Sequence, residues 1–199
     1  MKILILFTTL TALLIGCSTK QEPTSSIPAP LVDGSIDDYK ALGVKPVTIA
    51  DSVNLYTYQN EHYCWLAYDY PEGSFGTMDL KLLSPSFQDT INLHVSAQLG
   101  EWMLTPDSPK PDNANSDLWW NANGWTANTV WINGMDRSGE QPRFRFKNAN
   151  ARELQLSKAR FGKGQWKLKL MIRSLKGENG EFFDINYPPG PEMMIVNID

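Results

Sequence analysis

Between Thr105 and Gln141 the chain concentrates two kinds of side chain that together suit one kind of ligand. Trp119, Trp120, Trp125 and Trp131 are four of its seven tryptophans. Asn121, Asn123, Asn128 and Asp136 lie among them, and Arg137 adds a forked donor. A sugar ring has an apolar C–H face and a rim of hydroxyls. A flat indole matches the first, and planar amide, carboxylate or guanidinium groups match the second. These residues are therefore candidates for binding an oligo- or polysaccharide. The competing reading is structural: the indoles fill a core beneath a long loop and the asparagines make turns. Trp119 and Trp120 are adjacent, so in an extended chain one of them faces outward.

Other chemistries are poorly served. A glycosidase needs two positioned carboxylates. Glu101, Asp117, Asp136 and Glu140 are scattered acids of the sort any chain of this size carries. No GxSxG, HExxH or P-loop pattern occurs. His62 and His94 belong to no ligand-spaced cluster, so neither a zinc site nor an enzyme is expected. Asp33, Asp37 and Asp38, or Asp107, Asp112 and Asp117, could offer oxygen ligands to calcium, but without EF-hand spacing. Solvated turn acids are the plainer reading, and no cofactor is expected. The net charge of −4 argues against a nucleic-acid partner.

The elements that must position these residues are strands. Val53–Tyr58 alternates, Gln59-Asn60-Glu61 makes a polar turn, and His62–Tyr70 alternates again, which is a hairpin signal. Both faces of the second strand are apolar or aromatic, so it lies in mid-sheet under cover. Tyr56, Tyr58, Tyr63 and Trp65 read as core packing across that hairpin, or as a second aromatic surface. Met78–Leu82, Ile91–Ala97, Phe144/Phe146, Trp166–Ile172 and Met193–Ile198 repeat the alternation, and a further strand is expected through Thr126–Ile132. Helix is limited to a turn or two near Ser157–Phe161. The pattern predicts an all-β fold, an antiparallel β-sandwich of jelly-roll-like type. Arg143/Arg145/Lys147 and Lys167/Lys169/Arg173 face outward on such strands. They are either ordinary solvated faces or a positive surface for anionic glycans or lipopolysaccharide.

The N-terminus reads as a targeting segment. Lys2 precedes an apolar run, Ile3–Ile15, too short to span a bilayer comfortably. It ends in Leu14-Ile15-Gly16-Cys17, which resembles the lipobox of bacterial lipoproteins. That resemblance implies cleavage before Cys17 and lipidation of its thiol. Ser18 resembles the residue found in lipoproteins sent to the outer membrane. The expected organisation is a signal peptide over 1–16, a lipidated flexible tether over 17–30, and one β-sandwich domain over 31–199. Cys64 is then without a disulfide partner and reads as a small buried hydrophobe.

Asp33, Gly34, Ile36, Asp37 and Tyr39, followed by Tyr56, Asn60, Glu61, Tyr63, Trp65 and Ala67, carry a second resemblance. Their order resembles the start of the family 9 carbohydrate-binding modules and their DOMON-like relatives. Met78-Asp79-Leu80 approximates the acidic run that follows the hairpin in that family. The resemblance implies a β-sandwich on a surface-attached bacterial protein that binds glycans without catalysis. Two alternatives stand beside it. One is a structural lipoprotein docking on a protein partner through the Trp-rich loop. The other is a haem-binding DOMON-type domain, for which His94 with Met78, Met103 or Met135 are the candidate ligands.

The anchoring expectation has a direct test. Cys17→Ser should abolish lipidation and membrane retention, read by labelled fatty-acid incorporation and fractionation; mutant protein that still takes up label would refute it.

Overall fold

A computed structural model describes residues 29–136, 141 and 143–199, with only the backbone for 131–136 and 143–148. The expectations placed on Cys17, on the signal segment and nearly all of the tether, and on Arg137 lie outside the described residues, as do those on the side chains of Trp131, Met135 and Asp136. Among the described residues the elements run α1 Asp37–Ala41, β1 Val47–Ala50, β2 Val53–Gln59, β3 Tyr63–Asp69, β4 Thr77–Leu83, β5 Ile91–Val95 and β6 Leu99–Met103. They continue with β7 Trp125–Ala127, β8 Trp131–Asp136, β9 Arg143–Asn148, β10 Ala151–Ser157, α2 Lys158–Phe161, β11 Gly164–Lys176, β12 Phe182–Tyr187 and β13 Met194–Ile198.

Two antiparallel sheets make the sandwich. The first has the order β1-β2-β3-β10-β7; the second has the order β12-β11-β4-β5-β6, with β13 also paired to β11. The two share one edge of β11: β13 pairs with its first half and β12 with its second. β8 and β9 form a separate ribbon. The expected strand through Thr126–Ile132 is split. At Asn128 the side-chain amide takes over the pairing, accepting from Glu153 N at 2.7 Å and donating to Ala151 O at 3.0 Å. Val130 N then turns to Ser96 O, and the chain leaves the edge of the first sheet.

Period-2 alternation builds the core. Leu55, Leu66, Tyr68, Leu154 and Leu156 of the first sheet meet Met78, Leu80, Leu82, Leu93, Trp166, Leu168 and Leu170 of the second. A fully buried side chain of this kind contributes about 1.5–3 kcal/mol by leaving water. The other face of β3 is also covered. Ile36 and Tyr39 of the N-terminal segment lie over Tyr56, Trp65, Ala67 and Ala151 in a second, smaller core. This is why β3 is apolar on both faces, and it gives Tyr56 and Trp65 to packing; Tyr63 stays exposed.

Consecutive residues of β10 carry buried charges to opposite faces. Arg152 points between the sheets. Its guanidinium donates to Gly76 O at 3.1 Å, Asn128 O at 2.8 Å and Phe75 O at 3.0 Å. Glu153 points outward beneath the N-terminal segment, where its Oε2 accepts from the backbone amides of Asp33 and Gly34. Glu153 Oε1 and the Tyr39 hydroxyl are buried with no hydrogen-bond partner among the described residues.

Burial pushes the Glu153 carboxyl up, the Gly34 and Asp33 amides pull it down, the Asp33 charge raises it, and the balance lies at about 7 against an ordinary 4.5. A folded-state pKa raised in this way gives stability that is complete below about pH 4.5 and is lost as pH rises through about 7. The loss is on the order of 3 kcal/mol. Urea denaturation should therefore show stability falling between pH 5 and 8, and Glu153→Gln should flatten that slope; an equal slope in both proteins would contradict it.

Candidate functional site

The Trp-rich loop lies along β6, the last strand of the second sheet. An edge strand exposes alternate amides and carbonyls that must find partners. Here Trp120 N donates to Leu99 O at 2.7 Å. Asn121 replaces a strand at the next position, accepting from Glu101 N and donating to Glu101 O, both at 2.8 Å. Met103 N donates to Ser108 Oγ at 3.1 Å. The loop is thus a substitute strand, and Asn121 is its pairing residue.

Glu101 fastens the loop a second time through its side chain. Arg160 grips the carboxylate with two contacts of 2.6 Å, and Trp125 Nε1 donates to Oε2, also at 2.6 Å. Arg160 additionally donates to Asn123 O. A fork-to-carboxylate pair fixes orientation as well as charge. Glu101 is therefore committed to holding the loop.

This attachment brings one indole into close contact with the sheet. Gly100 faces outward in β6, and a Cβ there would come within 2.8 Å of Trp119 Cε3. With no side chain at Gly100, Trp119 rests on the backbone, with its Nε1 donating to Asn113 O at 2.9 Å. Its ring centroid lies 5.3 Å from His94, which in turn lies 6.0 Å from Trp102. His94 is directly opposite Gly100, and Asn92 directly opposite Trp102. The result is an aromatic ledge of Trp102, His94 and Trp119 on the outer face of the second sheet. Trp120 stands beside it, 59% exposed, with its backbone in the left-handed region at φ +64°.

Polar groups adjoin the ledge. Asp79 on β4 lies 2.9 Å from His94 Nδ1, accepts from Asn92 Nδ2 at 2.9 Å, and has Arg173 Nε at 3.7 Å. Burial pushes the Asp79 carboxyl up, but hydrogen bonds from His94 and Asn92 and the charges of His94 and Arg173 outweigh it. The carboxyl stays below its ordinary 3.8 and is ionised at neutral pH.

The sequence candidates divide accordingly. Trp119 and Trp120 reach the ledge. Trp125 does not: it is 6% exposed and belongs to the core. Asn121 and Asn128 have both amide atoms committed to backbone, and Asn123 is exposed on the far side of Glu101, bound through its main chain. Trp102, His94, Asp79 and Asn92, which form or adjoin the ledge, were not among the sequence candidates for that loop. One signal was present: a glycine inside a strand marks a close approach, here by Trp119. His94 is not brought together with Met78 or Met103 as haem ligands, because it faces outward onto Asp79 while Met78 is buried in the core and Met103 packs against it. Of the N-terminal acids, Asp33 Oδ1 accepts from Ser35 N, Asp38 Oδ2 accepts from Leu31 N, and Asp37 lies 3.9 Å from Lys40. Among the described residues, no three His, Cys, Asp or Glu side chains converge as metal ligands. A groove of about 640 Å³ at one end of the sandwich, beside Asp51, Glu72, Lys176 and Phe183, contains no indole.

No family model and no curated protein matches the chain. A solved structure of a candidate carbohydrate-binding protein from Bacteroides uniformis is similar to it, with a TM-score of 0.42 and 11% sequence identity over 83% of this chain and 87% of that one.

The geometry at Gly100 predicts a specific coupling. Gly100→Ala should dislodge Trp119, at a cost of about 1 kcal/mol as local overpacking, with a red shift in tryptophan fluorescence. In a Trp119→Ala background the same substitution should cost almost nothing. Equal costs in both backgrounds would show that Trp119 does not rest on Gly100.

Proposed function

We propose that the protein is a non-catalytic carbohydrate-binding lipoprotein of the bacterial cell envelope, anchored through Cys17 and directed to the outer membrane. The sugar site in this reading is the ledge of Trp102, His94 and Trp119, with Trp120 at its rim. The observation that carries it is the indole of Trp119, packed against a residue that lacks a side chain and held there by its own N–H. Stacking on an aromatic face contributes on the order of 1 kcal/mol beyond the area it buries.

Two further features support the reading. Trp120 keeps a large indole in solvent from a left-handed backbone, which costs roughly 1–2 kcal/mol for a residue with a Cβ. Such strain is expected where an exposed ring has a partner to meet. The carboxylates near the ledge are also occupied. Asp79 is bound by His94 and Asn92, and Glu101 by Arg160 and Trp125. Neither is available as the proton donor of a glycosidase pair, which favours binding over hydrolysis.

A glycan array followed by titration calorimetry tests this. Trp102→Ala, Trp119→Ala and Trp120→Ala should each weaken glycan binding about tenfold, and Trp120→Ala should leave the melting temperature nearly unchanged. Trp125→Ala should instead cost about 3–5 kcal/mol of stability. A folded protein that binds no glycan, with ledge variants indistinguishable from wild type, would sink the proposal and favour the protein-docking alternative.

A further inference from the structure

The outer face of the second sheet carries a row of side chains that runs straight from the ledge into a group of cations. Lys169, Lys81, Asn92 and Trp102 are directly opposed neighbours on β11, β4, β5 and β6. Lys167 and Arg173 flank Lys169 on the same face of β11. Asp79 lies one row over, between Met171 and His94. The chain as a whole has a net charge of −4, so this concentration of positive charge runs against its composition.

Most of these charges are already engaged. Lys169 Nζ donates to the backbone carbonyls of Pro188, Gly190 and Glu192. Arg173 lies between Asp79 at 3.7 Å and Asp184 at 3.8 Å. Asp79 is itself neutralised by Arg173 and hydrogen-bonded by His94 and Asn92. Lys81 differs. It is half-buried, faces Lys169 across the strand pair, and forms no hydrogen bond or ion pair with the described residues. Like charges directly opposite one another are unfavourable in a sheet. A cation kept in that position, with no ion pair to the described residues, is suited to an anion arriving from outside.

The spacing connects Lys81 to the ledge. Two strand steps separate Lys81 from Trp102, roughly 10 Å between backbones. A sugar stacked on Trp102 would place its neighbour in the chain above Asn92 and Lys81. We propose that the ligand is an acidic polysaccharide, with one sugar on the tryptophan ledge and the carboxylate or sulfate of an adjacent sugar on Lys81. This rests on the ledge being the sugar site. Lysine serves as a point charge and accepts either anion; it supplies no fork that would select a carboxylate.

Matched probes separate the two levels of the claim. The purified protein is titrated with polygalacturonate and its methyl-esterified form, and with dextran sulfate and dextran. Each charged polymer should bind at least about tenfold more tightly than its neutral partner, with an advantage that shrinks as salt rises. Lys81→Gln should remove most of that advantage while leaving the affinity for the neutral polymer unchanged. Lys81→Arg should restore it, and Lys45→Gln, at an exposed lysine elsewhere, should have no effect. Trp102→Ala should weaken charged and neutral polymers alike. Tight binding of polygalacturonate alone, or of dextran sulfate alone, supports the proposal and assigns the anion. Neutral polymers bound as tightly as charged ones would overturn the acidic specificity and leave the ledge standing. A charge advantage unaffected by Lys81→Gln would overturn the role of Lys81. No binding of any polymer would overturn both.

Discussion

Two adjacent residues of β10 set the terms for the rest of the sandwich. Because side chains alternate across a strand, Arg152 and Glu153 cannot pair with each other. Each is buried on its own face and must be satisfied by main-chain groups. Arg152 gathers the carbonyls of Phe75 and Gly76, just before β4, and of Asn128, just after β7. It thereby ties the loop ahead of the second sheet to the edge of the first. Glu153 holds the Asp33-Gly34 turn and, with it, the segment that covers the outer face of the first sheet. Buried polar groups of this kind are costly to leave unpaired, so both attachments favour the folded state. Gly34 suits its role, since its φ of +88° exposes the amide that Glu153 binds.

The edge of the second sheet faces a similar demand and meets it in a way that creates the ledge. β6 needs partners for its outer amides and carbonyls, and the Trp-rich loop supplies them through Trp120 N, Asn121 and Ser108. Glu101, with Arg160, then fixes the loop's distance from the strand. Once the loop is held that close, Trp119 has to lie somewhere, and only a position without a Cβ admits it. Gly100 is that position. Edge protection and a half-buried aromatic ledge are thus one structural solution. The ledge needs no separate scaffold.

This coupling explains what was legible in the sequence. Some of the strands were, because alternation reports which face is buried: β3, β4, β5 and β11 fall where the apolar period places them, and α2 lies within Ser157–Phe161, whereas β1, β6, β10, β12 and the short helix α1 had no such reading. The two-faced character of β3 was also legible, and the N-terminal segment accounts for it. The loop was correctly singled out as unusual, but its residues could not be sorted. An asparagine amide binds a sugar hydroxyl and a strand's backbone with the same two atoms, so Asn121 and Asn128 looked like ligand contacts. An indole reports neither burial nor exposure, so Trp125 and Trp119 looked alike. His94 and Trp102 were hidden for a different reason. Their significance lies in sitting opposite Gly100 and Asn92, and cross-strand register is a property of the folded sheet.

The two outer faces of the sandwich are treated unequally. On the first sheet, Ile36 and Tyr39 cover Tyr56, Trp65 and Ala67, so that face is internal. On the second, the corresponding positions carry Lys81, Lys167, Arg173, His94 and Trp102, and the described segments reach only its margins: the Trp119 loop at Gly100 and the 188–192 turn at Lys169. The chain enters the domain at the covered face, through the residues that precede Asp33. The arrangement follows from Arg152 and Glu153 pointing in opposite directions: one end of that pair secures the entry of the chain, and the other secures the strand junction behind the open sheet.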